Sequence, residues 1–257
     1  MLLNHKILGN GAPVVLIHGL FGTLDNLGRL AKFLSENHQV ISIDLPNHGN
    51  SYHTQSISYA SIANDVLTLL DHLEIDQCAF VGHSMGGKVA MEFALHYPMR
   101  VSSLIVADIA PVPYTNRHSD VFAALNAVDL AAIENRQQAL ATVVAHGIDQ
   151  GTAMFLLKNL AKSDDGFYWR CNLPTLQAAY PQIIGGMTPQ LRFSGPVLFI
   201  KGENSDYITN EHKSQIAQHF DQVSLKVIQG TGHWLHAEKP ASFNKIVNDF
   251  LVKNKVV

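Results

Sequence analysis

Apolar residues fall into two rhythms along this chain. The first is the short continuous run. Val14-Val15-Leu16-Ile17, Val40-Ile41-Ser42-Ile43, Cys78-Ala79-Phe80-Val81, Leu104-Ile105-Val106, Val197-Leu198-Phe199-Ile200 and Leu225-Lys226-Val227-Ile228 are of this kind. A run without alternation suits a parallel strand covered on both faces. The second rhythm places apolar residues three and four apart. Ile62, Val66, Leu69, Leu70 and Leu73 do so, which predicts an amphipathic helix over 59–73. Residues 85–97, 211–220 and 241–251 also read as helices. Strands and helices alternate from Val14 to Val106, an order that predicts a parallel sheet with helices on both faces.

That alternation stops at Pro111-Val112-Pro113. Helical patterns follow at 121–127, 130–146, 152–160 and 173–180, with no convincing strand before about residue 192. The expectation is a core of residues 1–112 and 193–257 carrying an all-helical cap, residues 113–192.

Composition narrows the class. The chain has 257 residues, 47% apolar and 15% charged, which suits one large, well-buried enzyme domain with an insertion. A net charge of −3 argues against electrostatic nucleic-acid binding. Fourteen histidines are scattered, and no His-x-x-x-His or Cys-x-x-Cys spacing points to a metal. Cys78 and Cys171 read as reduced thiols of an intracellular protein. Residues 1–11 lack the basic-then-apolar order of a signal peptide, and no run reaches membrane-spanning length. A soluble, cytoplasmic protein is expected.

The densest chemical signal is Gly82-His83-Ser84-Met85-Gly86, between a strand pattern and a helix pattern. A strand that reverses straight into a helix forces its apex residue into a strained, often positive-φ conformation. Side chains two positions away would collide, so glycine is needed there. Ser84 is thereby the candidate nucleophile. Met85 N–H, at the positive end of a helix dipole, is positioned to meet developing negative charge.

A serine hydroxyl needs a base, and the base an orienting acid. His233, in Gly230-Thr231-Gly232-His233 after the last strand, is the candidate base. His18, His48 and His83 compete for that role. His83 adjoins the nucleophile in sequence and so points away, which favours packing beneath the turn. His18 is expected to brace its own loop. Two aspartates qualify as the acid: Asp108, ending the strand after the elbow helix, and Asp206, beyond the Val197–Ile200 run. The second oxyanion donor is expected from His18-Gly19-Leu20-Phe21-Gly22, with Leu20 N–H first and Phe21 as fallback. Phe21 and Trp234 adjoin these motifs and are the expected substrate contacts. Phe122, Met154, Phe155, Trp169 and Tyr180 are weaker candidates, since helical aromatic stripes usually pack within their own layer. Arg117 and His118 could meet an anionic substrate group, or simply be solvated.

Together, His18-Gly19-Leu20-Phe21-Gly22, the turn 44–51, the elbow at Ser84, and Gly232-His233 with Glu238 and Pro240 resemble the α/β-hydrolase superfamily over nearly the whole chain. That resemblance implies the α/β-hydrolase fold: a mostly parallel central sheet, helices on both faces and a helical cap insert. Residues 20–26, 108–112, 202–205 and 232–240 further resemble a subgroup of small bacterial esterases with mitochondrial relatives. This implies hydrolysis of small-molecule carboxylic esters, or of acyl thioesters, with no cofactor. It also bears on the acid. The superfamily's usual aspartate position holds Ser205 here, as in that subgroup, where the acid follows the sixth strand. Asp108 occupies that place, and Ser205 becomes a hydrogen-bonding neighbour of the His233–Asp108 pair. Alternatives within the fold are carbon–carbon bond hydrolases and lyases, or a binding protein without turnover.

Overall fold

The computed structural model describes residues 1–254; the last three residues of the expected core segment 193–257 lie outside it. Among the described residues nine strands form, in chain order: β1 (His5–Leu8), β2 (Ala12–Ile17), β3 (His38–Ile43), β4 (Cys78–His83), β5 (Val101–Ala107), β6 (Leu160–Ser163), β7 (Gly166–Trp169), β8 (Phe193–Gly202) and β9 (Phe220–Ile228). Seven of them make one sheet in the order β1-β3-β2-β4-β5-β8-β9. All neighbours in it are parallel except β1, which runs antiparallel to β3.

The helices are α1 (Gly28–Leu34), α2 (Tyr59–His72), α3 (Met85–His96), α4 (Ser119–Asn126), α5 (Arg136–Ala145), α6 (Gln150–Leu156), α7 (Leu173–Ala178), α8 (Tyr180–Ile183), α9 (Lys213–His219), α10 (Leu235–Glu238) and α11 (Pro240–Lys253). Local chemistry starts several of them. Ser58 and Ser61 form a reciprocal capping box on α2, Asn135 caps α5, Asp149 caps α6, and Pro240 opens α11.

The continuous apolar runs are explained by two cores. Val15, Ile17, Phe80, Val106 and Phe199 point to the face covered by Ile62, Val66, Val89 and Phe93 of α2 and α3. Val14, Leu16, Val81, Ile105 and Leu198 point to the other, under Leu30 and Leu34 of α1 and Phe243 and Val247 of α11. The central strands β2, β4, β5 and β8 feed both cores in alternation, so their buried stretches are apolar on both faces.

The segment between β5 and β8 corrects one expectation. It carries α4 to α8, but also the antiparallel hairpin β6–β7, with Leu160 opposite Trp169. Each strand is four residues long, and only Leu160 and Ala161 are buried. Leu160 continues the helical spacing of the preceding turn, so no period-two signal stands out. Helix 130–146 also shrinks to Arg136–Ala145, and β1, short and half-exposed, had no apolar run to announce it. The insert's own apolar residues, Phe122, Leu125, Val143, Leu156 and Leu176, are continuous with the α2–α3 core. Among the described residues no helix is long and apolar enough to cross a membrane.

Register sets up the site. His83 at the end of β4 lies beside Ala107 of β5, and Ala107 beside Ile200 of β8. Residues that follow these strands therefore emerge together at one carboxyl edge.

Candidate active site

Ser84 sits at φ 53° between β4 and α3. The flanking glycines are sterically required. A Cβ on Gly82 would stand 2.2 Å from the Gly86 carbonyl oxygen, and one on Gly86 2.4 Å from the carbonyl oxygens of Ile17 and His18. The apex is tied down by Ser84 N–H to Ala107 O (2.9 Å) and Gly87 N–H to Ser84 O (2.8 Å). Asp108 (φ 54°) and Phe21 (φ 60°) share this left-handed backbone region, which side chains enter at a cost. Three strained residues thus cluster at the same sheet edge.

His233 joins two of them. Its Nε2 lies 3.0 Å from Ser84 Oγ, and its Nδ1 lies 2.8 Å from Asp108 Oδ2. With Nδ1–H donating to the carboxylate, Nε2 accepts from the serine hydroxyl. Asp108 is fully buried. Its Oδ1 accepts from Gly202 N–H at 3.0 Å, and its Oδ2 also accepts from Ser205 Oγ. The Tyr207 ring stacks on His233, centroids 4.0 Å apart and planes 21° from parallel. Ser84, His233, Asp108 and Ser205 therefore form one connected chain of hydrogen bonds.

Asp206 does not join it. Its carboxylate is exposed and accepts from Arg117 Nη1 at 2.6 Å, a hydrogen bond that holds the carboxyl below the usual range. One residue of displacement from Ser205 is enough to turn the side chain outward.

The competing histidines are braces. Leu45 N–H donates to His18 Nε2 (3.1 Å), so Nδ1–H must donate to Gly19 O (2.8 Å). Burial lowers the His18 pKa to about 4, keeping that tautomer neutral. His48, also buried and pushed down to about 3, bonds Pro46 O at 3.0 Å. His83 is buried against the rings of His233 (4.8 Å) and His236 (4.4 Å), and it does one thing more. Its Nε2–H donates to the His233 carbonyl at 2.8 Å, fixing the loop that delivers His233. Burial lowers its pKa well below the ordinary value.

Three further residues make contacts that no motif announced. Asn159, buried in the insert, donates to Phe21 O at 2.6 Å. Lys88, one helical turn past Ser84 and 1% exposed, donates to Val112 O (2.8 Å), Ile184 O (3.3 Å) and Gly185 O. It thus binds both ends of the insert. Tyr59 OH adds a bond to Ile183 O at 2.5 Å. Each is a single polar residue whose partner lies far along the chain, so no local motif marks it.

Two cavities meet at Ser84. One, of about 30 Å³, is lined by Met85, Ile109 and the rings of Tyr59, Tyr114, Tyr180 and Tyr207. The other, of about 390 Å³, is lined by Phe21, Phe155, His233 and Trp234. Leu20, Ser84 and His118 line both. A larger groove of about 680 Å³ between α9 and β9 is lined by none of these groups. Phe21 packs edge-on against Phe122 (5.3 Å), and Trp234 contacts Phe155 (5.5 Å). Of the weaker candidates, Phe155 and Tyr180 reach a cavity, whereas Phe122 and Trp169 pack inside and Met154 faces solvent. Arg117 is taken by Asp206, and His118 Nδ1 lies 2.5 Å from Tyr180 OH.

Residues 12–240 match the family model described as alpha/beta hydrolase fold. The chain belongs to the α/β-hydrolase family. Within the family it is similar to Esterase YbfF of Escherichia coli (strain K12), 40% identical over 243 residues that cover 94% of each chain. It is also similar to the sn-1-specific diacylglycerol lipase ABHD11 of Mus musculus. That match is 38% identical over 263 residues, covering 97% of this chain and 85% of the lipase. Among solved structures, the Marine microorganism esterase superposes with a TM-score of 0.94 at 35% identity, covering 97% of this chain and 99% of that one. This α/β hydrolase is therefore similar, along almost its entire length, to proteins named as esterases.

Proposed function

We propose that this α/β hydrolase cleaves small carboxylic esters, oxygen or thio, through a Ser84 acyl-enzyme. The observation that carries the reading is the unbroken Ser84–His233–Asp108 hydrogen-bond chain opening into a cavity. Ser84 Oγ attacks the acyl carbonyl carbon while its proton passes to His233 Nε2. The carboxylate of Asp108 stabilises the imidazolium, and Ser205 and Gly202 hold that carboxylate in place.

The oxyanion is met by the backbone N–H groups of Met85 and Leu20, each such donor contributing about a hundredfold. Met85 begins α3, and Leu20 lines both cavities beside Ser84; Phe21 lines only the larger, which supports Leu20 as the second donor. The tetrahedral intermediate collapses, and His233 gives its proton to the departing alkoxide or thiolate. Water, deprotonated by the same imidazole, then attacks the acyl-enzyme and releases acid and free Ser84. Phe21 and Trp234 are substrate contacts in the larger cavity. Residues 113–192 act as the cap over this site. The bond from Asn159 to Phe21 and the Lys88 bonds to Val112 and Gly185 support that role.

Turnover of 4-nitrophenyl acetate by the native chain and by Ser84→Ala tests the reading. A fall of at least about a thousandfold in kcat with the fold intact is expected; unchanged turnover would refute it.

A further inference from the structure

Beyond the bond cleaved, we infer which half of the ester each cavity takes. The small cavity holds the acyl group and the large one the leaving group, making this an esterase for short, uncharged acyl groups on bulky alcohols or thiols. The inference rests on the ester-hydrolase reading and specifies its substrate class.

The assignment follows from proton transfer. The leaving atom must face His233 Nε2 to be protonated, and the attacking water must later arrive at the same nitrogen. His233 lines only the large cavity, so that side receives the leaving group and then the water. The acyl chain is directed to the other side of Ser84, among Met85, Ile109 and the four tyrosine rings.

Size sets the limit. About 30 Å³ holds roughly two water-sized groups. That admits acetyl and propionyl chains and crowds longer ones. The walls are pinned. Tyr59 OH donates to Ile183 O and Tyr114 OH to Tyr207 O, both at 2.5 Å, while Tyr180 OH is bonded to His118. With these hydroxyls engaged, the rings present apolar faces. Nor is a free charge available for an acidic acyl group. The Lys88 ammonium is bound to the carbonyls of Val112, Ile184 and Gly185, and the Arg117 guanidinium is bound to Asp206.

Two ester series test this with the native chain. In the first, 4-nitrophenyl is constant and the acyl group grows from acetyl to decanoyl. In the second, acetyl is constant and the alcohol grows from methyl to naphthyl. kcat/KM should fall at least about tenfold between propionyl and octanoyl, because a poorly housed methylene costs that much or more. Across the alcohol series it should not fall. Ile184→Ala, which widens the acyl wall, should raise the octanoyl-to-acetyl ratio about fivefold or more and leave the alcohol ratio alone. Trp234→Ala should alter the alcohol ratio and leave the acyl ratio alone. Equal use of octanoyl and acetyl esters, or sharper selection on alcohol size than on acyl length, would overturn the inference with hydrolysis itself intact. No Ser84-dependent turnover of any ester would overturn the underlying reading as well.

Discussion

The carboxyl edge of the sheet and the insert facing it are held by different means. At the sheet edge, geometry is set by backbone sterics over a few residues: Gly82 and Gly86 leave room for the bend, and Ser84 and Asp108 each follow a strand end directly. The insert is held by long-range side-chain bonds, from Lys88 to Val112, from Tyr59 to Ile183, from Asn159 to Phe21 and from Asn172 Nδ2 to Asn47 Oδ1. The first kind of restraint is rigid and legible. The second can be loosened one bond at a time without touching the chemistry. On the proposed mechanism the reacting groups lie at the sheet edge, and substrate selection falls to the interface with the insert.

The sharpest way to break this contrast uses two aspartates that both follow strands of the sheet, Asp108 bonded to His233 and Asp206 paired with Arg117 of the insert. Asp108→Asn removes the acceptor that orients His233 and should lower kcat by about a thousandfold or more. Asp206→Asn removes only an exposed pair with Arg117 and should change kcat by less than about threefold. Steady-state kinetics of the two variants checks both; a larger loss from Asp206→Asn would transfer the acid role from Asp108 to Asp206.

Acid provides the next test. Burial holds His18 and His236 down at about 4, so the folded chain resists protons that the unfolded chain binds below about pH 6.5. Stability should be level in this respect above pH 6.5 and decline between 6.5 and 4, by about 3 kcal/mol for a fully buried group such as His18. Urea midpoints across that range measure it. His236 Nδ1 is buried without a partner, so His236→Leu should reduce the acid slope. An unchanged slope would place the proton uptake elsewhere.

The mildest effect is expected at the insert. Lys88→Met keeps the stem but strands the carbonyls of Val112, Ile184 and Gly185. We expect KM to rise about tenfold, kcat to change less than about threefold, and stability to drop by about 1–3 kcal/mol. Kinetics with limited proteolysis near 111–113 and 184–186 reads this out. A kcat loss as deep as that of Asp108→Asn would erase the distinction between the two regions.

The same distinction explains what could be read from the chain. Ser84 was legible because glycines two positions either side have a steric cause, and His233 because a glycine-rich loop follows the last strand. Asp108 and Asp206 could not be separated by spacing alone. A one-residue offset changes side-chain direction, and only the resemblance through Ser205 favoured Asp108. Six sheet strands announced themselves as apolar runs, five of them buried and the β9 run largely exposed, whereas β1 and the β6–β7 hairpin did not, being short and partly exposed. Asn159, Lys88 and the bond from His83 to the His233 carbonyl stayed hidden because their partners lie 138, 24 and 150 residues away.

The central claim is that Ser84 alone forms the covalent bond, driven by His233. Intact-mass and peptide analysis after reaction with a fluorophosphonate measures this directly. The account predicts one equivalent of adduct, on Ser84, formed at least about a hundredfold more slowly in His233→Ala. Adduct on another residue, or ester turnover that persists once Ser84 is fully modified, would contradict it.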